Sequence, residues 1–157
     1  MITFTGSATT TASLRRSAAE AAAGWVELDR QARCRSEAAS AEPAGPLRLQ
    51  VRLKEMNHGS VKFSGRYTLV FTVDAGVADS ARVSWRSEAG SDVAVEGEAR
   101  FRPAAGGCTV TCTERVTVPM ELNALIGRAL RPIVEAMIER GSRGFVERMV
   151  ASLDGGA

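Results

Sequence analysis

The chain has 157 residues, of which 45% are apolar and 24% charged, an ordinary composition for a globular protein able to bury about two thirds of its unfolded surface. Lys and Arg outnumber Asp and Glu by 20 to 18, and a net charge of +2 gives no basis for a nucleic-acid partner. One histidine and three cysteines exclude a multi-histidine metal centre and a four-ligand structural zinc site, so no metal and no cofactor is expected.

Residues from Ile2 to Thr10 alternate apolar or small side chains with Thr and Ser, the pattern of a strand. The opening Met1-Ile2-Thr3-Phe4-Thr5 has neither the basic nor the apolar region of a secretory signal. Ser13 is a candidate cap for the Ala-rich stretch Leu14 to Ala32, whose composition favours helix. Gly24 divides that stretch, and Trp25 is the largest member of its apolar stripe. Cys34 to Ala41 is a weaker candidate strand, closed by Glu42-Pro43-Ala44-Gly45-Pro46.

Period-two patterning then dominates. Leu47, Leu49, Val51 and Leu53 alternate with Arg48, Gln50, Arg52 and Lys54, and Asn57-His58-Gly59 signals a turn. Val61, Phe63, Gly65, Tyr67, Leu69, Phe71 and Val73 share one face of a long strand, with a bulge or bend expected at Ser64-Gly65. Ala81, Val83 and Trp85 follow, then Val93, Val95, Gly97, Ala99 and Phe101. After the turn at Pro103 to Gly107, the last strand carries Cys108, Val110, Cys112, Glu114, Val116 and Val118 on one face. Consecutive strands with one apolar and one polar face form an antiparallel meander. Its cover is the helical pattern from about 121 to 153, in which Leu130, Ile133, Val134, Met137, Ile138, Phe145 and Met149 recur at three- and four-residue spacing. Pro132, Gly141 and Gly144 predict a short lead-in helix, a kink or a break within it.

The three cysteines, Cys34, Cys108 and Cys112, form no Cys-x-x-Cys motif, and thiols four residues apart in a strand lie about 13 Å apart, too far for a disulfide. A reducing, cytoplasmic setting is the expectation. No stretch approaches the ~18 apolar residues of a membrane span.

This order of elements resembles the START-like superfamily, also called SRPBCC or Bet v 1-like. The segment Val61-Lys62-Phe63-Ser64-Gly65-Arg66-Tyr67 is similar to a strand of its polyketide-cyclase-like and carbon-monoxide-dehydrogenase-subunit-type branches. The segment Val95-Glu96-Gly97-Glu98-Ala99-Arg100-Phe101-Arg102-Pro103, with Gly106-Gly107-Cys108-Thr109-Val110, is similar to a hairpin of the same family. The segment Trp25-Val26-Glu27-Leu28-Asp29 keeps the family's Trp, Leu and Asp but lacks its proline. The resemblance covers the whole chain, best from Leu47 to Met149. It implies an α+β helix-grip fold: a curved antiparallel sheet in β-α-β6 order wrapped around a long C-terminal helix, one domain over residues 1–157. It also implies a cavity between sheet and helix, open at one end.

Sheet parity nominates Val51, Phe63, Tyr67, Phe71, Trp85 and Val95 for its lining, together with Leu49 and Val110. Phe101, Cys112, Glu114, Met137, Ile138 and Met149 complete the set. Glu114 is the pointed case, a carboxyl on the apolar face. It is either an acid/base group with Tyr67 as its hydrogen-bonding partner, or neutralised by an arginine such as Arg52 or Arg131, or exposed at a strand end. His58 reads as a turn residue away from the cavity, and Glu55 as solvated. The expected function is binding of a small hydrophobic or amphipathic molecule. The alternatives are a cyclase- or dehydratase-type enzyme using Glu114, and an interaction module meeting a partner through the arginine-bearing outer sheet face. An exposed edge strand leaves room for a homodimer.

Overall fold

The computed structural model describes residues 1–59 and 61–155; Gly156 and Ala157, at the end of the expected domain, lie outside the described residues. The alternating segments become strands β1 (Ile2–Leu14), β2 (Ala38–Gly45), β3 (Arg48–Leu53), β6 (Arg66–Ala75), β7 (Ala81–Ser87), β8 (Ala94–Ala104) and β9 (Gly107–Met120), with a small hairpin of β4 (Met56–His58) and β5 (Val61–Phe63) between β3 and β6. Helices α1 (Ala18–Trp25), α2 (Leu28–Cys34) and α3 (Ala124–Asp154) complete the chain. The large sheet is antiparallel in every pair, with order β1-β9-β8-β7-β6-β3-β2. Its apolar face and the three helices enclose one hydrophobic core.

Several boundaries differ from the sequence reading, each for a local reason. Strand β1 runs on to Leu14, and Ser17 rather than Ser13 caps α1, its hydroxyl accepting from the Glu20 N–H. Cys34 ends α2, so the second strand starts later, at Ala38, and passes through Pro43. A proline is tolerated there because β2 is an edge strand, with a register shift beside Pro43. The expected bend at Ser64-Gly65 is a full break: Val61–Phe63 leaves the large sheet to pair with Met56–His58. Gly59 takes the left-handed conformation at the tip (φ 62°).

Helix α3 shows no break at Pro132, Gly141 or Gly144. The Asn123 side chain caps it by accepting from the Ile126 N–H. Pro132 and Arg128 are both exposed, so the carbonyl that the proline leaves unpaired faces water. Glycine lets the helix approach the sheet: a Cβ on Gly6 would lie 2.5 Å from Ile138 Cγ2 and 3.1 Å from the Glu135 carbonyl oxygen. No helix among the described residues is long and apolar enough to cross a membrane.

Candidate functional site

A row of four residues crosses the inner face of the sheet and divides it. Trp85 on β7 is paired with Gly97 on β8, Gly97 with Glu114 on β9, and Glu114 with Ala8 on β1. Gly97 has no side chain, and a Cβ there would lie 2.3 Å from the Trp85 ring. The indole therefore lies across Gly97 and donates its N–H to Glu114 Oε2 at 2.9 Å. On one side of this row the interior is solid. Trp25 from α1 packs edge-on against Phe101 and Phe145, at centroid distances of 5.5 and 6.2 Å, and lies 6.4 Å from Trp85.

On the other side is a cavity of about 230 Å³. Tyr67, Val95, Val116 and Val118 wall it from the sheet; Leu130, Ile133, Val134, Met137 and Ile138 do so from α3. Met56, His58, Val61 and Phe63 of the β4–β5 hairpin close the third side. Ile133 and Met137 are 42% and 43% exposed, and His58 is exposed, so the opening lies between hairpin and helix.

The polar end of the cavity is built around Glu114, which is only 4% exposed. Besides the Trp85 N–H, it accepts from Arg35 Nη2 at 3.3 Å and from the Ser142 hydroxyl at 3.1 Å, the latter onto Oε1. Each donor comes from a different element: Trp85 from β7, Ser142 from α3, and Arg35 from the α2–β2 connection. That connection is fixed from both sides. Arg148 on α3 donates to the Cys34 carbonyl at 2.8 Å and to Ser36 Oγ at 3.1 Å, while the Lys54 N–H on the β3 side donates to the Glu37 carbonyl at 2.9 Å. The Arg35 guanidinium stacks 4.1 Å over the Phe145 ring. Its Nη1 lies 3.6 Å from Glu37 Oε1, which also accepts the Tyr67 hydroxyl at 3.1 Å.

Burial is the largest single influence on Arg35 and opposes its charge, but Glu114, Tyr67 and Glu37 together more than offset it and the pKa ends above the ordinary arginine value. Burial raises Tyr67 well above its ordinary value against the pull of Arg35, so the phenol keeps its proton. Burial, reinforced by the neighbouring Glu114, likewise raises the Cys112 thiol.

No family model and no curated protein sequence matches this chain. Solved structures do. The protein TTHA0849 from Thermus thermophilus superposes with a TM-score of 0.63 at 18% identity, over 94% of this chain and 98% of that one. The Zhui aromatase/cyclase from Streptomyces sp. R1128 gives 0.61 at 14% identity, over 97% and 94%. Norcoclaurine synthase from Thalictrum flavum, solved with dopamine and hydroxybenzaldehyde, gives 0.58 at 13% identity, over 96% and 87%. The chain has the Bet v 1-like, helix-grip fold.

In this helix-grip chain, Phe63, Tyr67, Val95, Glu114, Met137 and Ile138 border the cavity. Val51, Phe71, Trp85, Phe101, Cys112 and Met149 do not, nor do Leu49 and Val110; all are buried in the core, Trp85 in the dividing row itself and Phe101, Val110, Cys112 and Met149 on its packed side. Parity gave them the correct face, but Trp25 and the C-terminal half of α3 fill that side. Helix α1 accordingly plugs the interior through Trp25. His58 is a correction in the other direction: the β4–β5 hairpin brings it to the rim. Glu114 is neither exposed nor paired with Arg52 or Arg131. Arg35 neutralises it, and Tyr67 bonds Glu37 instead.

Arg35, Glu37 and Ser142 were not foreseen. The sequence signal for Arg35 and Glu37 was only a charged pair beside the weakest strand segment. Ser142 lay between two glycines read as a break. The three cysteines are free and buried. Among the described residues no group of three His, Cys, Asp or Glu side chains is placed to hold a metal ion.

Proposed function

We propose that this protein binds a small amphipathic molecule in the cavity between the sheet, the β4–β5 hairpin and the N-terminal half of α3. The observation that carries the reading is a cavity of about 230 Å³ with apolar walls on three sides and one hydrogen-bonded polar cluster at its inner end. Apolar walls with a few orienting polar groups are the usual make-up of a small-molecule site. The volume is below the roughly 300–1,000 Å³ of drug-sized pockets, so a single ring or a short chain suits it better than a long lipid. Neighbours of the same fold include an aromatase/cyclase and a synthase solved with two small aromatic molecules, in keeping with such a size. Three buried thiols without a disulfide are in keeping with a reducing, cytoplasmic setting.

The acid/base role for Glu114 lacks support in this geometry. Three donors hold the carboxylate, and its nearest charge is the cation paired with it. A group so committed is a structural anchor for the cavity end rather than a free proton carrier.

The test is a methyl NMR titration of the purified chain with 2-phenylethanol. Saturable shifts confined to Val95, Val116, Val134 and Met137 are expected, and they should vanish in Gly141→Phe. Gly141 borders the cavity and a Cβ there meets nothing within 4 Å, so the larger ring occupies the space without displacing the core. Shifts that are absent, or that survive Gly141→Phe unchanged, overturn the assignment.

A further inference from the structure

The charges bordering the cavity are unequal. Arg35, Glu37, His58, Tyr67 and Glu114 are the ionisable side chains on its wall. Tyr67 is a phenol donating to Glu37, and His58 stands at the exposed rim. At the inner end, one guanidinium therefore faces two carboxylates.

That guanidinium has no free face to offer a ligand. Nη2 is directed at Glu114 and Nη1 at Glu37, and the ring of Phe145 covers one face of the plane. Its Nε is buried without a partner, and nothing entering the cavity touches it unless the side chain moves. Glu114 is likewise taken up, with three donors on its two oxygens. Glu37 differs. Both of its contacts, with the Tyr67 hydroxyl and with Arg35, fall on Oε1, and its side chain is 36% exposed. Oε2 takes part in neither contact. Glu37 borders the cavity, so this end carries a carboxylate oxygen outside those contacts and one more negative than positive charge beside apolar walls, where charge interactions are stronger than in water.

We infer that the cavity selects a small aromatic or alkyl molecule whose head is a protonated amine, bound to Glu37, and discriminates against carboxylate heads. This rests on the binding role proposed above. An ammonium supplies donors to Glu37 Oε2 and brings the group of charges to neutrality. A carboxylate of the same shape meets two carboxylates there, and the one unpartnered donor of that end, Arg35 Nε, is buried out of its reach. An alcohol falls between, able to donate but bringing no charge.

Three probes of one skeleton test this: 2-phenylethylamine, 2-phenylethanol and phenylacetate, titrated into the full chain and into Glu37→Gln, with ethylbenzene as an uncharged control. The amine is expected to bind about fivefold more tightly than the alcohol, the scale of a partly exposed charge pair, with phenylacetate the weakest. In Glu37→Gln the amine's advantage over the alcohol should disappear, a selective loss that a general folding defect, which weakens both alike, would not produce. Phenylacetate binding as tightly as the amine, or an amine advantage unchanged in Glu37→Gln, overturns the inference and leaves the binding role standing. Failure of all four compounds, ethylbenzene included, overturns both.

Discussion

Glu114 occupies a position that alternation assigns to an apolar side chain, and its neighbours explain how the fold tolerates it. The charge is matched by Arg35, and the remaining acceptor capacity is met by Trp85 and Ser142. Removing one member of a buried pair strands the other, at a cost of about 3–5 kcal/mol, whereas replacing both by apolar groups is often near neutral. Glu114→Gln should therefore lower stability by that order, and Glu114→Gln with Arg35→Met should recover most of the loss, as read from urea unfolding midpoints. A Glu114→Gln variant as stable as the parent would show that the pair carries no structural role. Gly97 makes a second prediction at this scale. A methyl group there would lie 2.3 to 2.4 Å from the Trp85 ring, so Gly97→Ala should cost about 1–3 kcal/mol by overpacking and displace the indole from Glu114, visible as a change in near-ultraviolet circular dichroism. The phase of Glu114 was legible in the sequence because strand alternation is local. Its partner was not, because Arg35 lies in a connection 79 positions away whose placement depends on Arg148 and the Lys54 backbone.

Among the elements, α3 serves two purposes along its length. Leu130 to Ser142 faces the cavity, while Phe145, Val146, Met149 and Leu153 pack into the solid core. The apolar stripe looks alike in both halves, so sequence periodicity located the helix but not the point where packing gives way to space. That point is set by α1, which brings Trp25 against one half of the sheet only. The glycines read as a break belong to an unbroken helix, because helical hydrogen bonding and the cap at Asn123 outweigh their backbone entropy over 31 residues. Gly141 in a helix interior costs about 0.8–1.0 kcal/mol relative to alanine. Since a Cβ there meets nothing, Gly141→Ala should raise the unfolding midpoint by that order while leaving 2-phenylethanol binding nearly intact, in contrast to the blocked Gly141→Phe. A destabilised Gly141→Ala would mean that the open space beside Gly141 is filled in solution.

At the scale of the whole molecule, the interior is divided into a packed half and a hollow half, and the groups along the boundary give the fold a pH dependence. Tyr67 and Cys112 flank it, and burial raises both above their ordinary values of 10.0 and 9.0. Each is an acid that is neutral when protonated, so the folded chain retains a proton that the unfolded chain releases once the pH passes the ordinary value. Over that range the unfolded state binds fewer protons, and stability falls as pH rises, by up to about 1.4 kcal/mol per pH unit for each fully displaced group. Below about pH 8.5 both states hold most of these protons and the two groups contribute little slope. Cys34 and Cys108, raised mainly by burial, act in the same direction. Urea midpoints should accordingly be flat with respect to these groups up to about pH 8.5 and then decline, with Tyr67 steepening the fall above about pH 10. Cys112→Ala should start from a lower midpoint because it leaves a small void, yet decline less steeply between about pH 9 and 10.5. The slope is the readout that separates the two effects: parallel declines in parent and variant would show that the Cys112 thiol ionises freely in the folded chain, and that the boundary between the two halves admits water.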